Sequence, residues 1–357
     1  MRIKFAVWLL ALLLIGCDQS APVEKGFAGM GNQATAFTPV VPGREFSFPA
    51  DHGPHDGFRI EWWYITANLK DEQGQEFGAQ WTLFRSALKA TPEVAGWENQ
   101  TIWLGHAAVT SATVHHAAER YARGGIGQAG VSLAPFNAWI DDWRFSSQAT
   151  AENPVADLQL SARDKSFSYQ LRLTSTRPQV LQGDKGFSQK SEQGQASYYY
   201  SQPFFQASGT LIIDDKRYQV SGPAWLDREW SSQPLTANQT GWDWFSLHLD
   251  SGEQVMLYRM RQKDGEPYLT GTWIDAQGQT QLLKAGDIRL TPQDTATVAG
   301  RKMPVRWSIQ IPDKHLDIVI SALNPDAWMD LRIPYWEGPV RLSGSHGGQG
   351  YLEMTGY

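Results

Sequence analysis

Apolar and polar residues along this 357-residue chain alternate in short runs broken by turn residues. Such a pattern belongs to strands rather than helices. The stretch Ile60-Glu61-Trp62-Trp63-Tyr64-Ile65-Thr66-Ala67-Asn68-Leu69 is aromatic and β-branched for most of its length. Asp71-Glu72-Gln73-Gly74 then supplies turn chemistry and 77–85 returns, which predicts a hairpin. Further strands are predicted over 102–114, 156–162, 167–175 and 208–213. Asp214-Asp215-Lys216 turns the chain into 218–225. A second series covers 242–250, 254–261, 268–275, 305–311, 316–322 and 351–355. Many regularly turned strands predict an all-β protein of antiparallel sandwiches or barrels.

The amino terminus breaks this pattern. Arg2 and Lys4 precede an unbroken apolar stretch over 5–15. That is short of the roughly 20 residues a bilayer span needs, but it suits the core of a secretory leader, about 7–15 residues. The stretch ends Leu14-Ile15-Gly16-Cys17, which resembles the bacterial lipobox. The resemblance implies a signal peptide over 1–16, cleavage before Cys17 and lipidation of the Cys17 thiol. No other cysteine exists, so no disulfide can form within a monomer and stability rests on the core. Asp18 resembles the inner-membrane retention signal of enteric-type lipoproteins. The expected location is the cell envelope, on the periplasmic side of the inner membrane, with the outer membrane as the alternative. Residues 17–44 read as the lipidated cysteine and a flexible tether rich in Gly, Ala, Gln and Pro.

An internal echo divides the remainder. Trp62-Trp63-Tyr64, a turn and Leu83-Phe84-Arg85 recur as Trp242-Asp243-Trp244-Phe245, a turn and Leu257-Tyr258-Arg259. The polar stretch 231–240, with Pro234, suits a linker. Two domains are therefore expected, 45–232 and 233–357. Basic residues number 31 against 37 acidic, and loss of Arg2 and Lys4 with the leader takes the net charge from −6 to −8. A moderately acidic chain without a basic run is no nucleic-acid binder. Sixteen tryptophans are a heavy load for cores, pockets or interfaces.

Three constellations could carry chemistry. Asp51-His52-Gly53-Pro54-His55, with Glu61 beyond, offers ligands for zinc or groups for acid–base work. Gly53-Pro54 marks a turn, so the expected role is a polar network of Asp51, His52, His55, Glu61 and Arg228, without metal. In Trp225-Leu226-Asp227-Arg228-Glu229-Trp230, extended backbone puts Asp227 and Glu229 on one face and Arg228 on the other. A carboxyl among tryptophans is desolvated and suited to donate a proton. A structural salt bridge is the alternative, and spacing alone favours it. Tyr198 and Tyr200 in Ser197-Tyr198-Tyr199-Tyr200-Ser201 share a face, lining either a pocket or a core. No nucleophile elbow, phosphate loop, dinucleotide fingerprint or His-Glu-x-x-His motif occurs. No cofactor is expected.

Together, Asp51-His52-Gly53-Pro54-His55, Glu61-Trp62-Trp63-Tyr64, Trp225-Leu226-Asp227-Arg228-Glu229-Trp230 and Tyr335-Trp336-Glu337-Gly338 resemble the AttH-like proteins, which share a superfamily with the bacterial carotenoid 1,2-hydratases. The similarity covers about 46–357. It implies two lipocalin-like antiparallel β-barrels packed side by side. The hydratases protonate a terminal isoprenoid double bond with a carboxylic acid and capture the carbocation with water. Their aromatic-x-Asp step is matched by Trp225-Leu226-Asp227, which implies Asp227 as proton donor. Where the hydratases carry His and Trp on a preceding strand, this chain has Tyr198 and Tyr200.

Two functions stay open. The preferred one is an envelope lipoprotein that binds a hydrophobic, lipid- or isoprenoid-like small molecule and serves an ABC-type export system. The alternative is a carotenoid 1,2-hydratase-like enzyme with Asp227, and Glu229 beside it, as acid. Trp62, Trp63, Tyr198, Tyr200, Trp225 and Trp230 are the expected ligand-facing aromatics in either case.

Overall fold

A computed structural model describes residues 37–148, 153–175, 177–233 and 235–357. Cys17, the leader and the tether up to residue 36 lie outside them. The described residues are almost entirely strand. The N-terminal half forms one antiparallel sheet, and its path in space differs from chain order. It runs His115–Arg123, Thr101–Ser111, Glu76–Ala87, Ile60–Asp71, Lys216–Ser231, Ala196–Ile213, Phe167–Thr174, Asp157–Arg163, Trp143–Ser147, Phe136–Ile140 and Ala129–Leu133. The C-terminal half forms a second sheet. Its path is Thr280–Leu283, Tyr268–Ile274, Gln254–Gln262, Gln239–Leu249, Gly348–Met354, Tyr335–Gly344, Leu316–Ala322, Arg306–Ile311 and Arg289–Pro292. Each sheet curls into a barrel-like half around its own core, and the change of sheet falls between Ser231 and Gln239.

Local chemistry explains the turns. Gly74 takes φ +79° after Asp71, whose Oδ1 accepts the Gln73 and Gln75 backbone N–H groups at 3.0 and 2.8 Å. The same device recurs at Asp275, which holds the Gln277 and Gln279 N–H groups beside Gly278 at φ +88°. Asp214 and Asp215 both have positive φ, as a two-residue hairpin of matching twist demands.

Strand Ile60–Asp71 is buried on both sides for most of its length. Trp63, Ile65, Ala67 and Leu69 point into the N-terminal barrel and pack with Trp81, Trp103 and Trp143. Tyr64 and Trp62 point outward, toward Trp244, Tyr258 and Tyr351 of the C-terminal barrel. The C-terminal lumen is likewise filled, around Trp307 and Trp336. Side chains thus fill much of each barrel's interior, as small barrels allow.

The barrels meet outer face to outer face. Tyr64 donates to Glu337, Asn68 Nδ2 to the Gly350 carbonyl at 2.8 Å, and Trp244 Nε1 to the Tyr199 hydroxyl at 3.2 Å. Gly78 sits in this seam. A Cβ there would lie 2.3 Å from the Tyr351 hydroxyl and 2.8 Å from Pro339. Overpacking of this kind costs about 1–3 kcal/mol. Gly78→Leu is expected to lower the melting temperature by several degrees in calorimetry. An unchanged melting temperature would mean that the barrels do not meet there.

Candidate functional site

A cavity of about 380 Å³ lies between the barrels, within the size range of small-molecule sites. Strand alternation builds it. Trp62 and Tyr64 on the first strand and Phe84 and Ser86 on the next face it from the N-terminal barrel. Trp242 and Trp244, with Tyr258 and Met260, face it from the C-terminal barrel. Tyr335, Leu104, Ile102 and Leu88 complete an apolar wall.

Carboxyl groups converge on this wall. Asp227 and Glu229 share the outward face of strand Lys216–Ser231, and Arg228 points the other way, as extended backbone requires. Asp227 Oδ1 accepts from Ser201 Oγ at 2.5 Å and Trp225 Nε1 at 2.6 Å, and Oδ2 accepts from the Tyr199 hydroxyl at 2.6 Å. Burial pushes the Asp227 carboxyl up to about 7, against the pull of these three donors and with the Glu229 charge adding to the rise. Glu229 is offset by Lys190, whose Nζ lies 2.8 Å away and 4.4 Å from the Tyr258 ring centre.

Glu353, which the sequence reading passed over, completes the group. Its Oε1 accepts from Trp242 Nε1 at 2.5 Å. It opens onto the cavity yet is enclosed by protein on its other sides. Burial pushes it up to about 7, opposed by the Trp242 hydrogen bond and reinforced by the Asp227 and Glu229 charges. Its cross-strand neighbour Glu337 lies behind Tyr64, and burial and the Glu353 charge hold it well above the usual carboxyl range. The sequence did carry a sign: Glu353 is a lone charge within Tyr351-Leu352-Glu353-Met354.

The remaining candidates lie elsewhere. Trp63 is in the N-terminal lumen, with the Arg228 guanidinium 3.8 Å from its ring centre. Tyr198, Tyr200 and Trp230 do not line the cavity; they pack with Val40 and Phe58 at one end of the same barrel. The cause is a register shift between Gln202 and Phe205. Beyond it the odd positions Phe205, Ala207 and Leu211 point inward, so before it the even tyrosines do, and Tyr199 faces the partner barrel. Trp225 sits behind the site and orients Asp227.

The first constellation is a polar seal. His55 stacks on Trp230 with ring centres 3.8 Å apart and bridges Asp51 at 3.1 Å and Glu61 at 3.0 Å. Arg228 and Arg85 reach Glu61 at 3.2 and 3.4 Å. Burial alone would raise the Glu61 carboxyl, but His55, Arg228 and Arg85 outweigh it and hold it at about 2. His52 bonds the Tyr200 hydroxyl at 2.6 Å, and burial and the Arg228 charge keep its ring near 3. Of this network Glu61 and Arg85 reach the cavity lining. Among the described residues no cluster of His, Cys, Asp and Glu could hold a metal ion.

The site carboxyls have a signature in stability. Between about pH 4 and pH 7, folded Asp227 keeps a proton that the unfolded chain has released, so stability falls as pH rises through that window. The cost persists above pH 7. Asp227→Asn is therefore expected to stabilise the fold at pH 8 by about 2–4 kcal/mol and to do little at pH 4. Urea denaturation at the two pH values measures this, and equal shifts at both would contradict it.

This geometry can be set beside known proteins. The AttH-like family model matches residues 39–357. A protein described as an AttH, from Nitrosomonas europaea, is 33% identical, with a TM-score of 0.77 over 90% of this chain and 100% of its own. Kievitone hydratase from Nectria haematococca shares 16% identity and a TM-score of 0.65, over 87% of this chain and 92% of its own. CghA, in a structure with Sch210972, shares 11% identity and a TM-score of 0.57, over 91% of this chain and 96% of its own. The last two likenesses concern the fold alone. No curated protein matches the sequence. With two barrels, an inter-barrel cavity and a family match over nearly its whole described length, the chain belongs to the AttH-like family.

Proposed function

We propose that the protein binds an apolar small molecule, of isoprenoid or similar lipid-like character, in the cavity between its barrels. The observation that carries this reading is the lining: aromatic and aliphatic side chains from both barrels around a few fixed carboxyls. Apolar walls supply affinity and the convergent polar groups fix orientation. An envelope protein anchored through Cys17 would meet such a molecule at a membrane or hand it to an export system. Ser86 borders the cavity, so Ser86→Trp is expected to fill it. Native mass spectrometry with farnesol and geranylgeraniol measures occupancy. The reading predicts binding by the unaltered protein and at least a tenfold loss in the variant. Absence of binding to the unaltered protein counts against the reading.

A second reading is favoured by the carboxyls. Acids poised near 7 in an aromatic cavity suit protonation of a carbon–carbon double bond. The alkene π electrons take the acid's proton and leave a carbocation, which the faces of Trp62, Trp244 and Tyr258 stabilise. Water adds to that cation, and its surplus proton returns to the carboxylate, so the net change is alkene plus water to alcohol. Both oxygens of Asp227 already accept hydrogen bonds, whereas the hydrogen bond from Trp242 engages only Oε1 of Glu353. Proton delivery therefore falls on Glu353, while Asp227 stays held by Ser201, Trp225 and Tyr199 beside it. Loss of a general acid costs about 100- to 10,000-fold in rate. Incorporation of ¹⁸O from labelled water into farnesol measures turnover, and Glu353→Gln is expected to reduce it by that factor. The rate should fall as pH rises through about 7, where Glu353 loses its proton. Retained turnover in Glu353→Gln would sink this assignment.

A further inference from the structure

Large apolar side chains left exposed on this protein are not scattered. Nine are exposed among the described residues, and six gather at one end of the N-terminal barrel: Leu88, Val94, Trp97, Ile102, Tyr121 and Ile126. Trp97 is 71% exposed and Leu88 57%. The loops 88–100 and 124–128 carry four of them, and the Gly96 N–H donates to the Gly125 carbonyl at 2.7 Å to hold the two loops together. Arg123 fixes the Trp97 backbone carbonyl at 2.6 Å. Contiguous exposed apolar surface of this kind marks a site of interaction.

Two observations identify the partner. Leu88, Ile102 and Tyr121 belong both to this patch and to the cavity lining, so the patch rims the cavity mouth. The chain also enters the described structure at this end. The Thr38 N–H bonds the Gly57 carbonyl at 2.8 Å, and the adjacent Asp56 reaches the Arg85 guanidinium and the backbone N–H of Glu93, within the loop 88–100. The lipid attachment proposed at Cys17 lies 20 residues before Phe37. Twenty residues span at most about 70 Å extended and about 25 Å as a relaxed coil. The tether thus joins the body at the end where the apolar rim projects.

We infer that this end of the N-terminal barrel rests on a phospholipid bilayer, with Leu88, Val94 and Trp97 inserted at its interface and the cavity mouth facing the lipid. Tryptophan favours the headgroup level of a membrane. One weak contact suffices beside an anchor, since stable attachment comes from two signals acting together. An apolar ligand then passes from bilayer to cavity without crossing water. That last step rests on the binding function proposed above; the docking itself does not.

The cores are built from described residues from Val40 onward, so the chain from Asp18 onward retains all of them. That form also has no cysteine, which allows a single reporter to be placed at will. A polarity-sensitive fluorophore on Trp97→Cys is expected to shift to the blue on addition of phosphatidylethanolamine–phosphatidylglycerol vesicles. The same fluorophore on Asp215→Cys, in the hairpin turn at the opposite end, should not respond. Leu88→Ser with Trp97→Ser should reduce vesicle co-flotation of the otherwise unaltered chain about tenfold, at an unchanged melting temperature. No shift at position 97, or equal shifts at both positions, overturns the docking. A Trp97-dependent dimer in sedimentation without vesicles also overturns it, by assigning the patch to a second copy of the chain. None of these measurements needs a ligand, so the docking and the binding function can fail separately.

Discussion

Everything in this protein follows from the burial of one strand, Ile60–Asp71, on both of its faces. A strand sends successive side chains to opposite sides, so one set of residues closes a lumen and the other must be covered by something else. Trp63, Ile65, Ala67 and Leu69 complete the N-terminal core. Tyr64 would stand in water without the C-terminal barrel, and Trp244 meets it edge to face at 5.2 Å. The second barrel therefore covers the outer face of the first. Where the cover is incomplete a cavity remains, lined by outward-facing residues of both sheets.

The buried carboxylates fall into two kinds, and the difference separates architecture from chemistry. Glu61 lies opposite Arg85 in the strand register, and Arg228 and His55 complete its surroundings. Asp243 lies opposite Arg259 and also binds Arg261 and the Tyr357 hydroxyl. Both are paired charges whose removal would strand their arginines, although burial still raises Asp243 against its two guanidiniums. Asp227, Glu337 and Glu353 have hydrogen-bond donors but no guanidinium, and all three are pushed upward. Uncompensated acids at an apolar cavity lower stability, and such sites are where function is found.

Much of this was legible in the sequence, and the reasons for the rest are physical. Turn chemistry at Asp71 and Asp214 marked the hairpins, and the alternation of Asp227, Arg228 and Glu229 put each on its observed face. The internal echo proved to have structural content. Trp62 lies opposite Phe84 and Trp244 opposite Tyr258, and each pair lines the cavity, with Glu61–Arg85 and Asp243–Arg259 beside them. The spacings differ because the first hairpin is longer. What could not be read was which face of a doubly buried strand turns inward. Ile60–Asp71 carries large aromatics on both faces, Trp62 and Tyr64 on one and Trp63 on the other, and the register shift after Gln202 inverts the phase of the tyrosines. Hence Trp63, Tyr198, Tyr200 and Trp230 looked like ligand contacts and are packing residues. Strand His115–Arg123 was also missed, because His-His-Ala-Ala-Glu-Arg has helical rather than strand preferences and only its neighbour Thr101–Ser111 makes it extended.

An inter-barrel site also has a consequence that a lumen site would lack. Tyr199 donates its hydroxyl to Asp227 and accepts from Trp244 of the other barrel. Trp242 and Glu353, both of the C-terminal barrel, face Asp227 of the N-terminal one across the cavity. The polarity around each acid is thus set by how the two barrels dock, not by either alone. A rigid-body shift that opened the seam would admit water and let the carboxyls return toward their ordinary values. Gly78 against Pro339 and Tyr351 belongs to that seam, and both partners lie two residues along their strands from a raised carboxyl, Glu337 and Glu353.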